Sequence, residues 1–406
     1  IKKNKLGVLL IDKNNDLLLN AYQVNLTNFK LKLIFRNFTN TNLSWLIAYL
    51  CGLPVEPRKC IVKSKSNGNI SFRINNNCYR LQTNNTTFQK IIIDPIKTSR
   101  FGWIISLRDL EGRLLNNYQL LPYTKEKFKL LSRKGFWFQT IIDHLKNKEI
   151  PPQECTVNSD HKGHINFLVN KNIFCLRSKN IGQSYPIHIK PVYTEQYNWV
   201  LQLYDNDFQH LTDYIIKHGI KPTVRKCRND SYKVQTIIDY ASGLDIKPLP
   251  CSIETDANAM IYFSIKNKTI PIKLFAKNKS QLVDIEPIYT KAYGYILRLK
   301  DKKGNFLNDY QVRPTQKCFP RGYELQTIID YLSGLEIEPK PCSIYTAQNG
   351  IINVKINNKF TRFHTNTNKK QLVHLIPKYN KNYGWLIEVW NEDKTELLTT
   401  IDRRRL

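Results

Sequence analysis

Four cysteines, Cys60, Cys155, Cys251 and Cys342, stand 95, 96 and 91 residues apart and occupy the same place in a recurring stretch of sequence. The clearest copies read Gln235-Thr-Ile-Ile-Asp-Tyr-Ala-Ser-Gly-Leu-Asp-Ile-Lys-Pro-Leu-Pro-Cys251 and Gln326-Thr-Ile-Ile-Asp-Tyr-Leu-Ser-Gly-Leu-Glu-Ile-Glu-Pro-Lys-Pro-Cys342. A third begins Gln139-Thr-Ile-Ile-Asp-His and ends at Cys155, and a more diverged fourth runs from Trp45 through Cys51 to Pro57 and Cys60. Two further markers keep this register. Gly102, Gly294 and Gly384 lie between aromatic residues, with Asn198 substituting once and Leu6-Gly7 heading the chain, and Pro95, Pro191, Pro287 and Pro377 close the successive copies. Such a period constrains the fold more than any composition does, because one supersecondary unit must be built repeatedly. The expected modules are 1–97, 98–193, 194–289 and 290–379, with 380–406 as the opening hairpin of a fifth.

Periodicity predicts the content of a module. Tyr295 to Lys300 alternates, turns through Asp301 to Asn305 and returns through Phe306 to Val312, which predicts a β-hairpin. Leu325, Ile328, Ile329, Leu332 and Leu335 fall at helical spacing, and Gly334 can end that helix. From Cys342 the chain alternates through turns at Asn349-Gly350 and Asn357-Asn358 to Phe363, read as a three-strand meander, and a last strand covers Gln371 to Ile376. Each module is therefore expected to be α+β, a small antiparallel sheet of about six strands with one short helix. The hairpin Tyr383 to Leu398 is expected to complete or cap the last module. No linker rich in Pro, Gly or Ser separates the copies, so they are expected to abut.

Charge narrows the partners. Lys and Arg outnumber Asp and Glu by 62 to 33, a net charge of +29, in a chain of 406 residues. A surface so positive calls for an acidic partner: nucleic acid, an anionic membrane or acidic protein. Asn, Lys, Ile and Tyr are all abundant, as an AT-rich genome would produce, so mutational bias supplies part of the excess.

Between hairpin and helix each copy carries a cationic segment: Lys30, Lys32 and Arg36; Lys125, Lys127, Lys129, Arg133 and Lys134; Lys217, Lys221, Arg225, Lys226 and Arg228; Arg313, Lys317 and Arg321. A basic loop leading into a helix N-terminus adds side-chain charge to unsatisfied N–H groups and suits a phosphate. Aromatics lie among them: Phe29, Phe35 and Phe38, Phe136 and Trp137, Tyr232, Phe319 and Tyr323. Exposed, these would stack bases; packed, they are staples or core.

Nine cysteines without a CxxC pair predict neither a disulfide framework nor a zinc site, and a reducing intracellular compartment follows, the cytoplasm or an AT-rich organelle or endosymbiont. No apolar run approaches the roughly 18 to 20 residues that span a bilayer, so no membrane insertion is expected. Ile1 opens the chain and its single methionine is Met260, so the numbering starts inside an open reading frame or after processing.

Catalytic patterns are weak. Asp143, Asp239 and Asp330 recur on the helix but Ala48 takes that place once, His161 and His164 have no cluster to complete a site, and no phosphate-binding glycine motif occurs. Neither catalytic residues, metal nor cofactor are expected. The helix ends Ser-Gly-Leu-Asp and Ser-Gly-Leu-Glu resemble the LAGLIDADG homing endonucleases, basic α/β proteins whose repeated helix is followed by a metal-binding acid. Here that place holds Pro54, Glu149, Asp245 and Glu336, no glycine follows the acids, and the period is short for that family. A degenerate nuclease is therefore the third expectation. The first is a non-catalytic protein holding RNA or DNA phosphates within a larger assembly, and the second is a scaffold whose modules grip an acidic protein partner.

Overall fold

The computed structural model describes residues 5–14, 17–25, 30–36, 42–74, 77–83, 87–132, 134–179, 181–265, 268–274 and 279–405. The chain divides into two compact units, 1–226 and 227–406. Both are α+β, mostly antiparallel sheet, and among the described residues they contain four α-helices.

In the first unit, Lys5–Asp12, Leu17–Asn25 and Lys30–Arg36 form a three-stranded sheet that precedes helix α1, Leu43–Leu50. A five-stranded sheet follows in the order Phe128–Leu130, Leu114–Leu120, Gly102–Arg108, Lys90–Thr98, Cys60–Lys63, accompanied by the two-stranded ribbon Ile70–Ile74 and Asn77–Leu81. Helix α2, Phe136–Leu145, leads to a second five-stranded sheet, Cys155–Asn158, Pro186–Thr194, Asn198–Tyr204, His210–Lys217, Thr223–Lys226, with the ribbon His164–Val169 and Asn172–Arg177.

In the second unit helix α3, Tyr232–Ala241, precedes the sheet Cys251–Glu254, Leu282–Thr290, Gly294–Asp301, Phe306–Gln311, Lys317–Phe319 and the ribbon Met260–Ile265 with Lys268–Lys273. Helix α4, Tyr323–Leu332, precedes a four-stranded sheet, Cys342–Tyr345, Leu372–Asn380, Gly384–Trp390, Leu397–Asp402, and the ribbon Ile351–Ile356 with Lys359–His364. The C-terminal hairpin is thus hydrogen-bonded to Leu372–Asn380 and runs to Asp402, past the expected Leu398.

The expected meander divides. Ile351–Ile356 and Lys359–His364 pair with one another, whereas Cys342–Tyr345 crosses to Leu372–Asn380, putting Cys342 opposite Leu375. Alternation reports which face is buried and is silent on which strand is the neighbour. The prolines are central to the long strand rather than terminal: Pro95 pairs with Ile105, Pro191 with Leu201, Pro287 with Leu297 and Pro377 with Ile387. Each lies two residues beyond the partner of the matched cysteine, where the cysteine strand has ended, so the missing N–H takes nothing from a ladder.

Four apolar cores each combine one helix, one ribbon and the inner face of a sheet. In α4, Leu325, Ile328 and Leu332 supply the buried stripe, each contributing about 1.5–3 kcal/mol by burial. A threonine ties each of three helices to its exit segment. Thr140, Thr236 and Thr327 donate Oγ1–H to the carbonyls of Trp137, Lys233 and Glu324 at 2.6 Å and accept the N–H of Gln153, Leu249 and Lys340 at 2.9, 2.9 and 2.8 Å. No helix among the described residues is long and apolar enough to cross a membrane.

Candidate anion-binding surface and cleft

The cationic segments are partly edge strands rather than loops. Lys30, Lys32 and Arg36 lie in Lys30–Arg36, Lys129 in Phe128–Leu130, Arg225 and Lys226 in Thr223–Lys226, and Lys317 in Lys317–Phe319. Short runs opposite a sheet edge fall below the length at which alternation is readable. Lys32, Arg36, Lys125, Lys129, Lys217, Lys221, Arg225, Lys226, Arg228, Lys317 and Arg321 are exposed. Lysines on an edge strand also resist pairing with a foreign sheet. Arg133 and the side chain of Lys30 lie outside the described residues, as do Phe29, Phe38 and the side chain of Phe35.

Four of the predicted cations, two of them exposed, also make contacts within the fold. Arg313 lies 3.9 Å above the Tyr240 ring and Lys127 donates to the Pro122 carbonyl at 2.6 Å. Arg321 donates to the Asn353 carbonyl at 3.1 Å, and Lys317 approaches Asp330 at 4.0 Å. The aromatics divide similarly: Phe136 and Phe319 are buried, Tyr232 and Tyr323 half-buried, and Trp137 is 42% exposed.

Sequence reasoning missed the contrast between two helix N-termini. Gly135 and Gly322 precede α2 and α4 with φ of 102° and 93°, left-handed conformations that let the chain turn from strand into helix. At α4 the protein supplies its own anion. Asp309, fully buried, accepts the Tyr323 N–H at 2.8 Å and is held by Arg298 through two hydrogen bonds of 3.0 Å. Arg298 also reaches Glu324 at 2.6 Å. Desolvation opposes its charge, but these two carboxylates outweigh it and drive the Arg298 pKa upward.

At α2 the place of Asp309 is taken by Asn117, whose cross-strand partner is Ser106 where Asp309 has Arg298. The Ser106 hydroxyl donates to Asn117 Oδ1 at 2.7 Å, while Asn117 Nδ2, in a residue only 1% exposed, has no partner. The N-cap position of α2 is Gly135, which has no side chain to offer the first turn. A cleft of about 1190 Å³ opens there, with Asn117, Arg108, Arg113 and Lys134 in its polar wall and Trp137 and Phe167 in its apolar one. The signal was a Gly-aromatic pair before each helix, and the Asn-for-Asp exchange becomes visible once strand register is known.

The recurring acids are hydrogen-bonded within their helices, and the recurring cysteines are buried or half-buried. Asp143, Asp239 and Asp330 each accept the amide of the glutamine one turn earlier at 2.8, 2.8 and 2.6 Å, and Tyr293 donates to Asp330 at 2.7 Å. Burial pushes the thiols of Cys60, Cys155, Cys251 and Cys342 up to about 12. Among the described residues no group of three or more His, Cys, Asp or Glu side chains is placed to hold a metal ion. Compared with protein-family models and with curated proteins, the sequence matches none.

Proposed function

We propose that the chain is a tandem array of four α+β modules closed by a terminal hairpin, and that it binds a polyanion, RNA or DNA phosphates, through the basic segment before each helix. The observation that carries the reading is positional: in each copy the cations fall between hairpin and helix, and exposed ones are present in every copy, as at Lys32, Lys129, Lys221 and Lys317. Flexible exposed cations suit phosphate contact, which is sequence-independent and cumulative along a chain. The helix recurrence in both units supports the modular part. An intracellular role in a larger assembly remains part of this reading.

The test replaces exposed cations copy by copy, K32Q, K129Q, K221Q and K317Q, and follows binding of a labelled single-stranded RNA by anisotropy. Each change is expected to weaken binding by a similar factor, and their combination by the product. Unchanged affinity in the fourfold variant overturns the reading.

A second reading is favoured by one observation. Tyr193, Tyr289 and Tyr379 are 61%, 67% and 65% exposed and each meets an aromatic of the next strand edge-on, Trp199, Tyr295 and Trp385, at 5.5, 5.2 and 5.4 Å. A repeated aromatic pair of this kind suits a scaffold whose modules each grip a protein partner, gaining strength by multivalency. A partner captured in fixed ratio, and lost when the three tyrosines become alanine, separates it from the first.

A further inference from the structure

We propose that the cleft at the N-terminus of α2 is a binding site for a phosphomonoester carrying a flat aromatic body, the chemistry of a nucleoside monophosphate. Helix α4 shows what this turn can hold: a carboxylate oxygen of Asp309 accepting the first N–H, that of Tyr323. At α2 the matching side chain is neutral, its buried Nδ2 is unpaired, and Asn117, Ser106, Gly135 and Phe136 line the cleft. A helix start, an orphaned buried donor and cations thus line one cleft, a setting that suits an oxyanion.

The surrounding charges set the class. Arg108 donates to the Gly112 carbonyl at 2.8 Å, leaving its charge uncompensated by that bond. Arg113 is paired with Asp109 at 2.6 Å and Glu111 at 2.8 Å. Burial lowers the Lys134 pKa and only Asp160 opposes it, so Lys134 is a half-desolvated cation that an anion would stabilise. With Arg113 already neutralised, the two charges left, Arg108 and Lys134, favour a dianion over a single carboxylate. The exposed face of Trp137, packed on Phe136 with ring centroids 4.1 Å apart, offers a stacking surface for a base beside the phosphate.

Lys134 and Trp137 belong to both readings, but Asn117 belongs only to this one, so changes at Asn117 separate the two. The experiment is calorimetric titration of the full chain with AMP, adenosine, ribose 5-phosphate and sodium benzoate. AMP is expected to bind, adenosine and benzoate at least tenfold more weakly, and W137A to lose the advantage of AMP over ribose 5-phosphate. N117D places a carboxylate where α4 has one, so it is expected to weaken AMP at least tenfold while leaving salt-dependent RNA binding unchanged. If N117D alone does not fold, S106R/N117D reproduces the α4 pair and serves in its place. A short RNA with and without a 5′-phosphate tells a free nucleotide from a chain end; a 5′-phosphate preference assigns the terminus as a ligand, and its absence assigns the free nucleotide. No heat from AMP, or equal AMP affinity in N117D, overturns the assignment.

Discussion

The Tyr295 backbone N–H donates to the Tyr240 hydroxyl at 3.2 Å, so the side chain of a helix closes the start of a hairpin 55 residues further on. Arg313 lies over that ring, 3.9 Å from its centroid, and a Cβ at Gly294 would stand 2.7 Å from the hydroxyl. The same device recurs at α4: the Trp385 N–H donates to Tyr331 at 3.1 Å, and Arg403 lies 5.3 Å from the ring. Y240F is expected to lower stability by about 1 kcal/mol, the usual worth of one such bond. G294A is expected to cost more, because Gly294 has a φ of 68° and no space for a methyl group. Urea titration followed by circular dichroism measures both; equal stability of G294A and the parent would contradict the packing.

Asp309 is the second test. D309A leaves Arg298 half-buried against Glu324 alone and uncaps α4, with an expected loss of about 3–5 kcal/mol in the second unit. At α2, N117A removes an amide with one orphaned atom but also the acceptor of the buried Ser106 hydroxyl, and should cost about 1–3 kcal/mol, less than D309A. Thermal unfolding of the two variants compares them directly.

A pH dependence follows from His144, which stands where α3 and α4 have tyrosine. Burial lowers its pKa, the Ile150 carbonyl accepting from Nδ1 at 2.9 Å opposes this, and His218, with ring centroids 5.0 Å away, lowers it further. The unfolded chain therefore takes up this proton at a higher pH than the folded one. Stability from this group is complete above its ordinary value of about 6.5 and is lost as pH falls below it. H144Y is expected to flatten the decline in Tm between about pH 7 and pH 5; an unchanged slope would assign the acid sensitivity elsewhere.

Thiol chemistry tests the cores. At pKa values of about 12, Cys60, Cys155, Cys251 and Cys342 are almost wholly protonated near neutrality, while Cys78 is exposed. Alkylation followed by peptide mass spectrometry is expected to modify Cys78 first and these four only after denaturant. Early labelling of Cys155 would contradict its place in the core.

Much of the local structure was legible because one copy corroborates another. The stripe Leu325, Ile328, Ile329 and Leu332 announced α4, and the alternation of Tyr295 to Val312 announced its hairpin. Pairing was not legible: nothing local shows that Cys342 faces Leu375 rather than the next strand. The basic segments were visible as composition, but the division between exposed Lys129 and packed Arg313 depends on tertiary neighbours that charge counting does not see. The α2 cleft was hidden for the same reason, since Asn117 acquires meaning only beside Asp309 in the matching strand.

The most direct test of the polyanion claim is the affinity of the full chain for a single-stranded RNA homopolymer across a series of salt concentrations. The account predicts that log Kd rises linearly with log salt, with a slope of several phosphates contacted at about 0.7 per phosphate. Binding that is absent at low salt, or a slope near zero, would contradict it and leave the repeated aromatic pairs as the better guide to function.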